Sequence, residues 1–230
     1  MLGSVVFTVW VVVLLTLTLP PIWALLALTP QGAPTHRLVR RCARAVLALA
    51  GCRLTVEGLE NIASEPCAVL VANHSSYLDS VVLVAALPRD VRFVANHMAA
   101  TQPLVGLIIR KAKHLVVDRR SQRSRAACAR AMIAALRDGT SLILFPEGTR
   151  SGGGLLPFQM GAFRVAVKAR RPVLPVAVVG TNRVWPRRLR LLHGSAIVVR
   201  VLPAIDVDSE AGDGAARMRD AAVAAVASAV

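Results

Sequence analysis

The chain has 230 residues, a formal net charge of +15 and a hydrophobic fraction of 55%. That length suits one sizeable domain with its own core plus a short appendage, and leaves little room for two compact domains. Nucleic-acid binding would explain the charge but not the greasiness, and with only 4% aromatic residues a base-stacking surface is hard to assemble, whereas an anionic membrane surface accounts for both numbers.

From Met1 to Thr35 there is no acidic, basic or histidine side chain, and Val5 to Leu19 is apolar apart from Thr and Trp. Such a segment belongs in lipid. A spanning helix needs roughly 20 apolar residues, and the Pro20-Pro21 pair is expected to divide this stretch, leaving a span and a re-entrant hairpin both open. A cleaved signal peptide fits less well, because a basic leader and a small-residue cleavage site are missing. Arg37, Arg40, Arg41 and Arg44 follow directly. The tendency of such clusters to stay in the cytoplasm puts the rest of the chain on the cytoplasmic side of the membrane. Between His36 and Cys52, basic residues alternate with apolar ones near the helical period, which suits either an interfacial helix or an ordinary packing helix. Residues 1–50 are thus a hydrophobic anchor with a basic amphipathic helix, and 51–230 a single domain.

Short β-rich runs then alternate with helical stretches. Strands are expected at Leu54 to Val56, Cys67 to Ala72, Val91 to Ala95, Leu115 to Val117, Ser141 to Phe145, Val173 to Val179 and Ala196 to Val201. Helices are expected at Ser76 to Ala86, Pro103 to Ala112, Ser124 to Arg137, Gly161 to Ala169 and Gly214 to Ala229. This rhythm predicts an α/β fold with a central, mostly parallel or mixed sheet flanked by helices behind the N-terminal helical anchor. Cys42, Cys52, Cys67 and Cys128 are scattered without a Cys-x-x-Cys pair or a histidine partner, so neither a metal site nor a disulfide framework is expected.

Two constellations carry chemistry. In Asn73-His74-Ser75-Ser76-Tyr77-Leu78-Asp79, His74 follows a buried-type strand and precedes a helix, which puts it at the carboxyl edge of the sheet where open α/β folds bind ligands. Asp79, five residues on, can turn its carboxylate back to one imidazole nitrogen and leave the other as a general base. Capping residues around an incidental His would explain the same segment in isolation. The second constellation, Phe145-Pro146-Glu147-Gly148-Thr149-Arg150-Ser151, also leaves an apolar strand. A close-approach Gly, a hydroxyl and an Arg able to hold two oxygens make a phosphate-recognition loop. The spacing fits neither a P-loop nor a nucleophile elbow. His97 and His114 are assigned no role, and the runs Arg119-Arg120, Arg123, Arg125 and Arg187-Arg188, Arg190 read as solvated or lipid-facing charge.

Together, His-x-x-x-x-Asp and Phe-Pro-Glu-Gly-Thr-Arg resemble the glycerolipid acyltransferases, above all the 1-acylglycerol-3-phosphate acyltransferases, from about Leu54 to Pro203. The resemblance implies that His74 is the general base and Asp79 its partner, and that Glu147, Gly148, Thr149 and Arg150 bind the glycerophosphate end of the acceptor. It also implies that Arg119, in Val116-Val117-Asp118-Arg119, contacts the phosphate and that Pro175 lies near the substrates. For Pro175 a strand with a bulge or edge proline is an equal alternative. Asn96-His97, Lys113 and Gln159-Met160 depart from the family pattern, the first and last near the acceptor site. The implied reaction moves an acyl group from acyl-carrier protein or acyl-CoA to lysophosphatidic acid in the membrane, without a cofactor, with residues 51–230 as the catalytic domain. Backbone amides at the start of the helix after His74 are the expected oxyanion donors. The rival readings are an acyltransferase for another lysolipid, such as lyso-ornithine lipid, and a non-catalytic protein that holds anionic lipid.

Overall fold

The computed structural model describes residues 2–186, 192, 194–207 and 213–230. In chain order its elements are α1 (Leu2–Leu28), α2 (Ala33–Leu49), β1 (Arg53–Glu57), α3 (Leu59–Ala63), β2 (Val69–Ala72), α4 (Leu78–Ala86), β3 (Arg92–Asn96), α5 (His97–Ala100) and α6 (Pro103–Lys111). There follow β4 (Leu115–Val117), α7 (Gln122–Arg137), β5 (Leu142–Leu144), α8 (Gly161–Ala169), β6 (Val173–Val179), α9 (Thr181–Val184), β7 (Ala196–Val201) and α10 (Gly214–Ala229). The Arg187-Arg188, Arg190 run lies outside the described residues.

The strands form one seven-stranded sheet in the order β1-β7-β6-β2-β5-β3-β4. Strands β2 to β6 all run parallel, joined by helical crossovers, while β7 pairs antiparallel with β6 and parallel with β1. The sheet is therefore mixed, and the carboxyl ends of five strands share one edge. Strand β2 sits near the middle, between β5 and β6, and each of its four residues is fully buried. Such a strand reads as a continuous apolar run because helices cover both faces.

Alternate strand residues feed two cores. Leu70, Ile143, Leu174 and Val176 pack with residues of α1, α2 and α4. Val69, Val71, Leu142 and Val173 pack with residues of α7, α8 and α10 on the opposite face. Helices α1 and α7 thus lie on opposite layers of the sheet.

Helix α1 corrects one expectation: it runs unbroken through Pro20 and Pro21 rather than dividing there. Each proline removes one backbone donor, and the helix continues on its remaining bonds. Nearby, the Thr16 and Thr18 hydroxyls donate to the Val12 and Leu14 carbonyls at 2.8 and 2.7 Å. The helix is long and apolar enough to cross a membrane by length and composition. Among the described residues, ten of the eighteen exposed large apolar side chains lie on it, Val6, Leu17 and Leu28 among the most exposed, so exposed greasy surface is concentrated there.

Its other face is docked along the domain. Phe7 abuts Gly194, the Thr8 hydroxyl accepts from the Leu192 amide at 2.8 Å, and Trp10 Nε1 donates to the Leu49 carbonyl at 3.0 Å. At the far end Lys111 Nζ donates to the carbonyls of Ala27 and Thr29 at 2.7 and 2.6 Å. Helix α2 packs on α4 through Ala43 and Leu47, and its Arg40 and Arg44 donate to the Pro88 and Ala85 carbonyls, both at 2.8 Å. Part of its basic character thus serves packing.

Candidate active site

The shared carboxyl edge gathers the polar residues. Just beyond β2, the buried Asn73 side chain accepts from the Val178 amide at 2.7 Å and donates to the Val178 carbonyl at 2.9 Å. This double bond fixes the exit of β2 against β6. Next in the chain, His74 is held at both ends of its own backbone. Its amide donates to Glu147 Oε1 at 2.6 Å, and its carbonyl accepts from the Ser151 amide at 2.8 Å. The ring stacks on Phe145, with centroids 4.1 Å apart and planes 18° from parallel.

Asp79, in the first turn of α4, is fully buried. Its Oδ2 lies 2.8 Å from His74 Nδ1 and accepts from the amides of Ser75 and Ser76 at 2.7 and 2.9 Å. Its Oδ1 accepts from the hydroxyl of Thr181 at the start of α9. Because Thr181 gives its proton to Asp79, its oxygen accepts from the Ser75 hydroxyl, 3.1 Å away. The carboxylate fixes the His74 proton on Nδ1, so Nε2 keeps a free lone pair on a side chain that is 17% exposed. The expectation that amides at this helix start serve as oxyanion donors does not hold for three of them. Ser75 and Ser76 are taken by Asp79, and Leu78 donates to Ser76 Oγ at 3.2 Å.

The loop between β5 and α8 supplies the second wall. Glu147 is buried, and both of its oxygens accept backbone N–H groups: Oε1 from His74 and Oε2 from Leu156 at 3.1 Å. Burial raises its pKa above the ordinary carboxylate value against those two bonds. Gly148 adopts φ 77°, and its carbonyl accepts from Arg119 Nη1. That left-handed φ favours glycine, and a Cβ here would stand 3.2 Å from that nitrogen, so the guanidinium would have to give way slightly. Burial pulls the Arg119 guanidinium below its ordinary value. Thr149 is exposed. Arg150 sits over the Tyr77 ring, its guanidinium carbon 3.4 Å from the ring centroid, and its buried Nη1 meets no partner among the described residues. Tyr77 in turn meets Trp185 edge-on at 6.3 Å.

The structure therefore brings His74, Asp79, Arg119, Glu147, Gly148, Thr149 and Arg150 to one edge. Pro175 is not among them. It lies buried within β6, opposite Val71, and its carbonyl accepts from Leu202 as the chain after β7 veers away, a place where the missing donor costs nothing. Thr181 joins the site without having been expected there, while Asn73 and Tyr77 lie in the expected segment but had been given no catalytic or binding role. His97 lies 3.7 Å from Asp118 at the margin of the same edge.

The family model described as Acyltransferase matches residues 53–179. The chain belongs to the acyltransferase family. Among its relatives, a 1-acyl-sn-glycerol-3-phosphate acyltransferase of Borreliella burgdorferi is 31% identical over 171 residues, covering 74% of this chain and 68% of that protein. One of the same name from Limnanthes alba is 33% identical over 168 residues, covering 71% of this chain and 58% of that protein. The crystal structure of the 1-acyl-sn-glycerophosphate acyltransferase PlsC from Thermotoga maritima superposes with a TM-score of 0.80 at 22% identity, covering 98% of this chain and 94% of that one. At that identity the likeness shows the shared fold. This acyltransferase thus carries the family region on a sheet whose carboxyl edge holds His74, Asp79 and the Glu147–Arg150 loop.

Proposed function

We propose that this acyltransferase esterifies the free hydroxyl of 1-acyl-sn-glycerol-3-phosphate with an acyl group taken from a thioester, giving phosphatidic acid. One observation carries the reading: a histidine with Nδ1 held by a buried carboxylate and Nε2 open, on the same edge as an arginine with a buried N–H that has no partner among the described residues. The relatives' names point to the same acceptor.

The acceptor's phosphate docks on Arg150 and Arg119, and its hydroxyl points at His74 Nε2. As that nitrogen takes the proton, the oxygen attacks the thioester carbonyl, and the tetrahedral adduct collapses to ester and thiolate. The imidazolium, stabilised by Asp79, then protonates the leaving sulfur. Positioning supplies proximity, and a base of matched pKa adds roughly 10²- to 10⁴-fold. Glu147 serves this arrangement by tying the His74 amide, through one oxygen, to the Leu156 amide, through the other.

Helix α1 is docked over most of its length, so it lies in the outer layer of one leaflet with its apolar face down instead of crossing. A perpendicular helix would drag Leu49, Lys111 and Leu192 into the hydrocarbon. The arginines of α2 support a leaflet on the cytoplasmic side. Residues 51–230 form the catalytic domain.

Purified protein assayed with a panel of lysolipids, with and without a phosphate, against acyl-CoA and acyl-carrier-protein donors tests the proposal. Transfer to lysophosphatidic acid, abolished in His74→Ala with membrane association unchanged, supports it. Equal use of a phosphate-free lysolipid would move the acceptor to another class, and substantial transfer by His74→Ala would remove the base.

A further inference from the structure

Helix α7 starts at the active edge, two residues after Arg120, and carries an ordered row of charge. Arg123, Arg130 and Arg137 recur at seven-residue intervals, with Ala127 and Ala134 between them, and all five side chains are exposed. Seven residues complete nearly two turns with a drift of about 20° and a rise of about 10.5 Å, so the three cations form an almost straight ridge about 21 Å long. Small alanines leave the guanidinium groups standing clear of it.

Surface cations on a helix are ordinarily balanced by acids three or four residues away. Here those positions hold Arg119, Arg120, Ala126, Ala127, Ile133, Ala134, Thr140 and Ser141, with no acid among them. Nor does any of the three arginines take part in a salt bridge or side-chain hydrogen bond among the described residues. The neighbouring α8 contains no acid either. The ridge is built to meet negative charge from outside.

Its position decides which. Core contacts put α7 on the sheet face opposite α1, so the greasy helix and the arginine ridge point away from each other. With α1 at the bilayer, the ridge faces water. A free nucleotide-type thioester is small and needs no straight row of cations leading a helix-length away from the chemistry. A protein that presents acidic residues along a helix, and carries the acyl thioester on a flexible arm, fits both the length and the sign.

We propose that the exposed ridge of α7 is the docking surface for an acidic carrier protein bearing the acyl thioester, seated so that its arm enters at Arg119 and reaches His74. This rests on the acyl-transfer reading above. Arg119 contacts Gly148 in the loop that also holds His74, so the foot of the ridge is continuous with the site.

The test uses the full chain with a lysophosphatidic acid acceptor, and palmitoyl-loaded acyl-carrier protein and palmitoyl-CoA as separate donors. The triple variant R123E/R130E/R137E is expected to raise KM for the carrier protein tenfold or more, with KM for palmitoyl-CoA and for the acceptor within twofold of the parent. The variant R123K/R130K/R137K keeps the charge and should keep the parent's carrier KM. Raising salt from 50 to 300 mM should weaken carrier use more than palmitoyl-CoA use, because screening acts on the extended charge contact. An unchanged carrier KM in the charge-reversed protein, an equal loss with both donors, or a parent that uses palmitoyl-CoA alone would overturn the docking surface while the acyl-transfer reading stands. Loss of vesicle binding in the charge-reversed protein would assign the ridge to the membrane instead. Absence of transfer from either donor by the parent would remove the acyl-transfer reading itself.

Discussion

Glu147→Gln separates two jobs that a motif glutamate could perform. In the structure the carboxylate accepts the His74 amide through one oxygen, at 2.6 Å, and the Leu156 amide through the other, at 3.1 Å. An amide has only one accepting oxygen, so whichever way the glutamine turns, its NH₂ opposes a buried N–H and one bond is lost. A hydrogen bond to a charged group contributes about 1.5–3 kcal/mol, and an orphaned donor adds desolvation cost. For a chain of this size each kcal/mol moves the melting point by roughly 2–4 °C, so Glu147→Gln should lower Tm by about 3–12 °C. Loosening the His74 backbone should also lower kcat about 10- to 100-fold, because small misplacements of a reacting group are costly. The assay is a thermal unfolding curve beside acceptor-dependence kinetics on one preparation. An unchanged Tm with a raised acceptor KM would refute the clamp and return Glu147 to the acceptor-binding role that the family resemblance implies.

Thr181→Val removes the hydroxyl that donates to Asp79 Oδ1 and accepts from Ser75, while keeping the side chain's shape. It should lower kcat about 10-fold and leave both KM values near the parent's. Thr181→Ser should restore kcat, and an unchanged kcat in Thr181→Val with a lowered Tm would make Thr181 merely structural. His114 is predicted to set part of the acid sensitivity of folding. Desolvation by burial, with His36 and Arg92 nearby, lowers its pKa to about 3, and its Nδ1 accepts the Phe93 amide at 3.2 Å. The unfolded chain therefore takes up a proton near pH 6.5 that the folded one refuses. Stability is full above that pH and falls as pH drops toward 3, by at most about 1.4 kcal/mol per pH unit for one group. His114→Gln keeps an acceptor for Phe93 and should show a shallower loss of Tm between pH 7 and pH 5, whereas parallel curves would remove His114 as the cause.

How much was legible in the sequence follows from how local each feature is. Strand β2 and helix α10 are long or apolar enough for pattern to reveal them, and α10 spans Gly214–Ala229 as the pattern indicated. Helices α3, α5 and α9 have four or five residues, too few for a 3.6-residue period to register. Helix α7 begins two residues earlier than expected because Ser121 caps it, its hydroxyl accepting from the Ser124 amide at 3.1 Å. The proline pair misled because two missing donors are few against the remaining bonds of a 27-residue helix. Thr181 was invisible for a different reason. It meets Asp79 across 102 residues of sequence, and only the register of β6 against β2 brings them together. A single sequence carries no trace of that register, whereas His74 and Asp79 share one loop.

The same register explains why the edge works as one unit. Asn73 ties β2 to β6, Glu147 ties the loop after β5 to His74, and Asp79 ties α4 to both His74 and α9. These bonds hold the His74 backbone and ring from several elements at once, and among the described residues of this edge the Arg150 Nη1 and the His97 Nδ1 are buried without a hydrogen-bond partner. On the proposed reading, the lipid acceptor arrives from the layer of α1 and α2, and the thioester from the layer of α7. A site at the sheet edge is reachable from both layers, which a site buried beneath either helix layer would not be. Two substrates from different phases therefore meet without either crossing the fold, and the ester product is released on the side where the acceptor entered.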